Sequence, residues 1–118
     1  MATVSSHILD SVFGGSAVGI RCRLFHLANE TSKTEVFDVL ANEQGRIVES
    51  LAISETGDYE LVFYSGEYFR NQSLKVSEYQ LVEQVVIRFY ISDINARYHI
   101  PVMLSAHSYS VWWSKLPD

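Results

Sequence analysis

One cysteine, few basic residues and no long apolar run set the first limits on this chain. Cys22 is the only cysteine among 118 residues. That excludes an intramolecular disulfide framework and fits a reducing compartment. Nine Lys and Arg stand against 14 Asp and Glu, a formal charge of -5, and the basic residues come singly. No nucleic-acid partner is expected, because gripping a phosphate backbone needs clustered cations. No stretch is apolar for long enough to cross a bilayer, and no early basic segment leads into an apolar run. No membrane association is therefore expected, and the cytoplasm is the expected compartment. Internal repeats, low-complexity tracts and heptads are missing too. Gly14-Gly15 and Gly45 lack the glycine-rich walk, lysine and hydroxyl of a phosphate-binding loop.

What remains is 47% apolar residues, enough for one cored domain over residues 1–118 and too few for two. The patterning is that of β-structure. In Ile20-Arg21-Cys22-Arg23-Leu24 apolar and charged residues alternate with the two-residue period of a half-buried strand. Glu35 to Leu40 offers a second strand, ended by the turn-like Asn42-Glu43-Gln44-Gly45. Tyr59 to Tyr64 and Val85 to Ile91 repeat the alternation with β-branched and aromatic residues. Between these two, Ser65 to Gln72 reads as a brief helix with Ser65 as its cap. Val102-Met103-Leu104 and His107 to Trp113 complete the expected strands. Two packed sheets would cover such faces.

The residues with chemistry are far apart in sequence and beside these strands: His7 in Ser6-His7-Ile8-Leu9-Asp10, Arg46 after the turn, and His99 in Arg97-Tyr98-His99-Ile100-Pro101. A neutral imidazole accepts a proton near physiological pH. A guanidinium stays charged and presents a fixed array of donors. Taken singly, each histidine fits a structural hydrogen bond better than a reaction, and Arg46 fits an exposed turn. His107 fits a strand position that can supplement a site, and His26 reads as a surface side chain. A zinc site from His7, His99 and His107 lacks a compact ligand signature, so no metal is expected.

Together these segments resemble the transthyretin-like family, in which the ring-opening hydrolases of urate breakdown are found. The resemblance rests on Ser6-His7-Ile8-Leu9-Asp10, Gly45-Arg46, Tyr59-Glu60-Leu61-Val62-Phe63, Gly66-Glu67-Tyr68-Phe69, Ile87-Arg88-Phe89, Tyr98 to Ser105 and Tyr109-Ser110, in order along almost the whole chain. It implies an all-β sandwich of two four-stranded sheets with one short helix, and a homotetramer built as a dimer of dimers with sites in channels between subunits. It further implies hydrolysis of 5-hydroxyisourate without organic cofactor or catalytic metal, with His7, Arg46 and His99 as the catalytic residues.

The chain departs from the family at its end. Family hydrolases carry Tyr-Arg-Gly-Ser, and the corresponding residues here are Trp112-Trp113-Ser114-Lys115. An indole cannot reproduce a guanidinium fork, and lysine is a flexible point charge rather than a hydroxyl. Trp112, Trp113, Ser114, Lys115 and His107 are the candidate substrate-binding residues, with the indoles as a planar wall or as interface packing. Two functions stay open: a hydrolase of 5-hydroxyisourate or a related cyclic ureide, and a noncatalytic small-molecule-binding protein. A structural oligomerisation module is a third.

Overall fold

The computed structural model describes residues 1–72 and 80–116, without the side chains at 48–52 and 114–116. Strand β1 (Ala2–Asp10) is the axis of the first sheet. Its burial alternates residue by residue, with Val4, Ser6, Ile8 and Asp10 turned inward and Thr3, Ser5, His7 and Leu9 on the outer face. This is the two-residue period of a strand covered on one side only. Antiparallel to β1 runs β5 (Arg46–Ile53), and the two-residue β2 (Gly15–Ser16) pairs with its end. On the other side, parallel to β1, lie β8 (Arg97–His99) and β9 (Val102–Leu104), two pieces of one lane interrupted at Ile100-Pro101. Proline has no N–H to give to a ladder, and the chain resumes its pairing one residue later. The edge lane is likewise in two pieces, β10 (Tyr109–Val111) against β9 and β11 (Ser114–Leu116) against β8.

The second sheet has the order β4 (Lys33–Leu40), β3 (Arg21–Leu27), β6 (Gly57–Phe63), β7 (Val85–Ile91), all antiparallel. Inward-facing residues of both sheets, among them Val4, Ile8, Leu24, Leu61, Phe63, Val102 and Leu104, form the core. Each fully buried aliphatic or aromatic side chain contributes about 1.5–3 kcal/mol relative to exposure. The expected two-sheet, one-helix architecture is the observed one.

Three local expectations are corrected. Helix α1 covers Ser65–Arg70 with Tyr64 at its N-cap and no side-chain cap bond. Ser65 is buried inside the first turn, where its hydroxyl finds no protein partner. The strand expected over His107 to Trp113 is shorter, because Ser105 and Ser108 bond each other across a turn that holds His107, and pairing lapses at Trp112-Trp113. His26 is only partly exposed: its ring stands 4.8 Å from that of Tyr59 and its Nδ1 lies 3.4 Å from Glu55.

Candidate active site

His7, Arg46 and His99 are brought to one place by ladder register. His7 faces Arg46 across the β1–β5 pair, and Ser5, two residues before His7, faces His99 across the β1–β8 pair. Directly opposed residues point to the same side of a sheet, so Ser5, His7, Arg46 and His99 share the outer face. This face is turned away from the core.

The turn before Arg46 is fixed tightly. Asn42 Oδ1 accepts the N–H groups of Gln44 at 2.9 Å and Arg46 at 3.0 Å. Gly45 has φ +71°, and a Cβ there would stand 2.6 Å from the carbonyl oxygen of Ile8. Only glycine combines that left-handed backbone with so close an approach. The N–H of Ile8 donates to the Gly45 carbonyl at 2.7 Å, locking the turn to β1 next to His7.

His99 is half-buried, and its Nδ1 lies 2.8 Å from Ser5 Oγ. Its pKa is held below the ordinary histidine value by burial first, then by the Arg46 guanidinium and by His7. All three disfavour a second positive charge. The ring is therefore neutral at neutral pH and able to accept a proton. The Arg46 side chain is exposed, and its guanidinium makes no hydrogen bond or ion pair among the described residues, leaving its donors for a ligand. Ser5 was not singled out from sequence, although the two-residue period through His7 already puts it on the same face.

Of the other expected site residues, Trp112, Trp113 and His107 fall elsewhere, whereas Ser114 comes next to His99. Trp112 and Trp113 line a cavity of about 490 Å³ together with Phe89, Tyr90, Tyr98 and Ile100; His7, Arg46 and His99 take no part in its wall. The Trp113 ring stands 6.3 Å from that of Tyr98, an inward-facing residue. His107 is exposed in the β9–β10 turn, beyond Leu104. The backbone of Ser114 is in register with His99 and that of Lys115 with Tyr98, while both side chains lie outside the described residues. Among the described residues, no group of three or more His, Cys, Asp or Glu side chains is arranged to hold a metal ion.

Residues 4–113 match the model of the HIUase/Transthyretin family. A 5-hydroxyisourate hydrolase 2 of Rhizobium meliloti is 35% identical over 112 residues, covering 92% of each chain. The 5-hydroxyisourate hydrolase of Pseudomonas aeruginosa is 31% identical, covering 95% of this chain and 90% of its own. Among solved structures, the Klebsiella pneumoniae 5-hydroxyisourate hydrolase superposes with a TM-score of 0.76 at 26% identity, over 97% of this chain and 99% of that one. An (S)-allantoin synthase gives 0.82 at 26% identity; 96% of this chain is covered, but only 43% of that longer one.

Proposed function

The chain belongs to the HIUase/transthyretin family, and from that premise we propose that it is a cofactor-independent hydrolase that opens the ring of 5-hydroxyisourate or a closely related cyclic ureide. The observation that carries this reading is the unpaired Arg46 beside His7 and a neutral His99 on one sheet face. In the proposed reaction His99 takes a proton from water as the water oxygen bonds to a ring carbonyl carbon. Arg46 binds the ureide and stabilises the negative charge that develops on the carbonyl oxygen. His7 orients the substrate at the opposite side of the pair. Collapse of the tetrahedral intermediate breaks the carbon–nitrogen bond, and the proton taken from water ends on the departing nitrogen.

Assembly as a homotetramer, a dimer of dimers, belongs to the same proposal. What supports it is the concentration of exposed aromatics on one flank, Tyr90 at 61%, Trp112 at 49% and Trp113 at 57%, beside the outer edges of β7 and β10, which have no partner strand among the described residues. Exposed apolar surface next to open strand edges favours association. Solution mass measured across protein concentrations checks it, and a monomer at all concentrations refutes it.

A noncatalytic binding role is favoured by one observation only, the aromatic cavity at Trp112-Trp113. The assay that separates the two follows freshly generated 5-hydroxyisourate, corrected for spontaneous decay, with the ring-opened product identified by NMR. Acceleration proportional to protein concentration supports the hydrolase. Binding of 5-hydroxyisourate with no acceleration supports the carrier, and a panel of related cyclic ureides then tests the rest of the substrate class.

A further inference from the structure

The hydrogen bond between Ser5 Oγ and His99 Nδ1, 2.8 Å long, ties the proposed base to a residue with no part in the chemistry above. Its two ends are rigidly set. Ser5 is opposite His99 in the parallel β1–β8 ladder, and the Ile100 N–H donates to the Ser5 carbonyl at 2.9 Å. A hydroxyl can donate to a ring nitrogen or accept from it, and in a neutral imidazole the two cases leave opposite nitrogens protonated.

The surrounding charges distinguish these cases. Arg46 and His7 act on the His99 ring directly, and Arg97 stands two residues along on the same face, opposite Thr3. With Nδ1 engaged by Ser5, Nε2 is the nitrogen left for the open face. An N–H at Nε2 would turn its positive end toward a cationic neighbourhood, whereas a lone pair there is attracted by it. The same neighbourhood keeps the ring as a whole from taking a second proton before substrate arrives.

Resting on the hydrolase reading, we propose that Ser5 is a positioning residue whose Oγ accepts the Nδ1–H of neutral His99 and so leaves Nε2 as the lone pair that takes the proton from water. On proton transfer the Nδ1–H stays on Ser5 and the new N–H forms at Nε2. That proton then passes to the departing nitrogen, and His99 returns to its starting tautomer. Second-sphere partners of this kind select the tautomer and orientation of a working imidazole.

The test reads the tautomer without any substrate. Nitrogen-15 NMR of the imidazoles in the intact protein, recorded above the His99 pKa, is expected to find His99 protonated at Nδ1. Ser5→Thr keeps that state, and Ser5→Ala moves population to the Nε2–H form. An Nε2–H tautomer in the unaltered protein, or a tautomer indifferent to Ser5→Ala, overturns the proposal. In kinetics with 5-hydroxyisourate, Ser5→Ala is expected to lower kcat about tenfold with KM nearly unchanged, and Ser5→Thr to recover it. An undiminished kcat in a Ser5→Ala protein whose tautomer has changed refutes the catalytic consequence. Failure of the intact protein to consume any cyclic ureide overturns the hydrolase reading instead, while the tautomer result still decides the role of the hydrogen bond.

Discussion

The outer faces of the two sheets carry their charges in opposite ways. On the β4-β3-β6-β7 sheet the charges are paired between strands: Arg21 with Asp38 at 2.6 Å, Arg23 with Glu35 at 2.7 Å and Arg88 with Glu60 at 3.0 Å on neighbouring strands, and Lys33 with Glu60 at 3.6 Å across the intervening β3. Arg23 and Lys33 also lie over the Phe25 ring, covering an aromatic residue that the alternation puts on the solvent side. On the β1 sheet, Arg46 and the two histidines share a face on which no carboxylate pairs with them among the described residues. The His99 pKa is lowered by burial first and then by the Arg46 guanidinium and His7. Charge that serves the fold is neutralised locally. A guanidinium left without a carboxylate beside a neutral imidazole keeps its donors open, as the proposed ligand site requires.

Several changes break or sharpen this contrast. The largest effect is expected from His99→Ala, which removes the proposed base: the rate of 5-hydroxyisourate hydrolysis falls by about 10²–10⁴-fold, with an unaltered β-type circular dichroism spectrum. Gly45→Ala attacks the scaffold below the site. With φ +71° and the Ile8 carbonyl in the way, it costs about 1–3 kcal/mol in denaturant unfolding and displaces Arg46, so stability and rate fall together. Tyr68→Phe tests a polar group buried for the fold. Asp10 accepts from the Tyr68 hydroxyl at 2.7 Å and from the N–H groups of Val12 and Phe13, and losing one of these partners costs about 1–3 kcal/mol while the rate is maintained.

A smaller effect appears in the pH dependence. Because the His99 pKa lies below the ordinary value of 6.5 and the proposed reaction uses the neutral ring, the rate is expected to be sustained through neutrality and lost as pH falls through the lowered pKa. The unfolded chain takes up that proton more readily, so this histidine also withdraws stability as pH falls from its ordinary value through the folded one. Arg46→Met removes one cause of the shift. Proton NMR titration of the imidazole should then find the His99 pKa moved up, and an unmoved value would show that the guanidinium does not act on the ring.

Much of this arrangement is readable from the sequence, and the unreadable parts share a physical reason. Strands β7 and β9 fall on the residues that alternation marks, because a half-buried strand writes its period directly into its side chains. His7, Arg46 and His99 appear as a set only through the spacing of a family fingerprint, since register between distant strands leaves no local trace. The break in the ladder at Trp112-Trp113 is equally hidden: both indoles suit a strand, and the break lies beside the interruption of the neighbouring lane at Ile100-Pro101, where the Trp112 N–H still donates to the Pro101 carbonyl at 3.3 Å. Ser65 looks like a helix cap by type and position, yet the chain enters the helix one residue earlier, at Tyr64. Trp112 and Trp113 differ from the family at two positions, and the structure attaches that difference to the aromatic cavity, not to the histidines.

The most direct test of the contrast between the two faces compares two arginines, one from each. Freshly generated 5-hydroxyisourate is followed in the presence of Arg46→Ala and Arg88→Ala proteins at equal concentration, with unfolding measured alongside. The account predicts that Arg46→Ala loses about 10²–10³ in rate with its stability intact, and that Arg88→Ala keeps the full rate while changing stability by less than about 1 kcal/mol. Equal rates for the two variants, or a greater loss from Arg88→Ala, would contradict it.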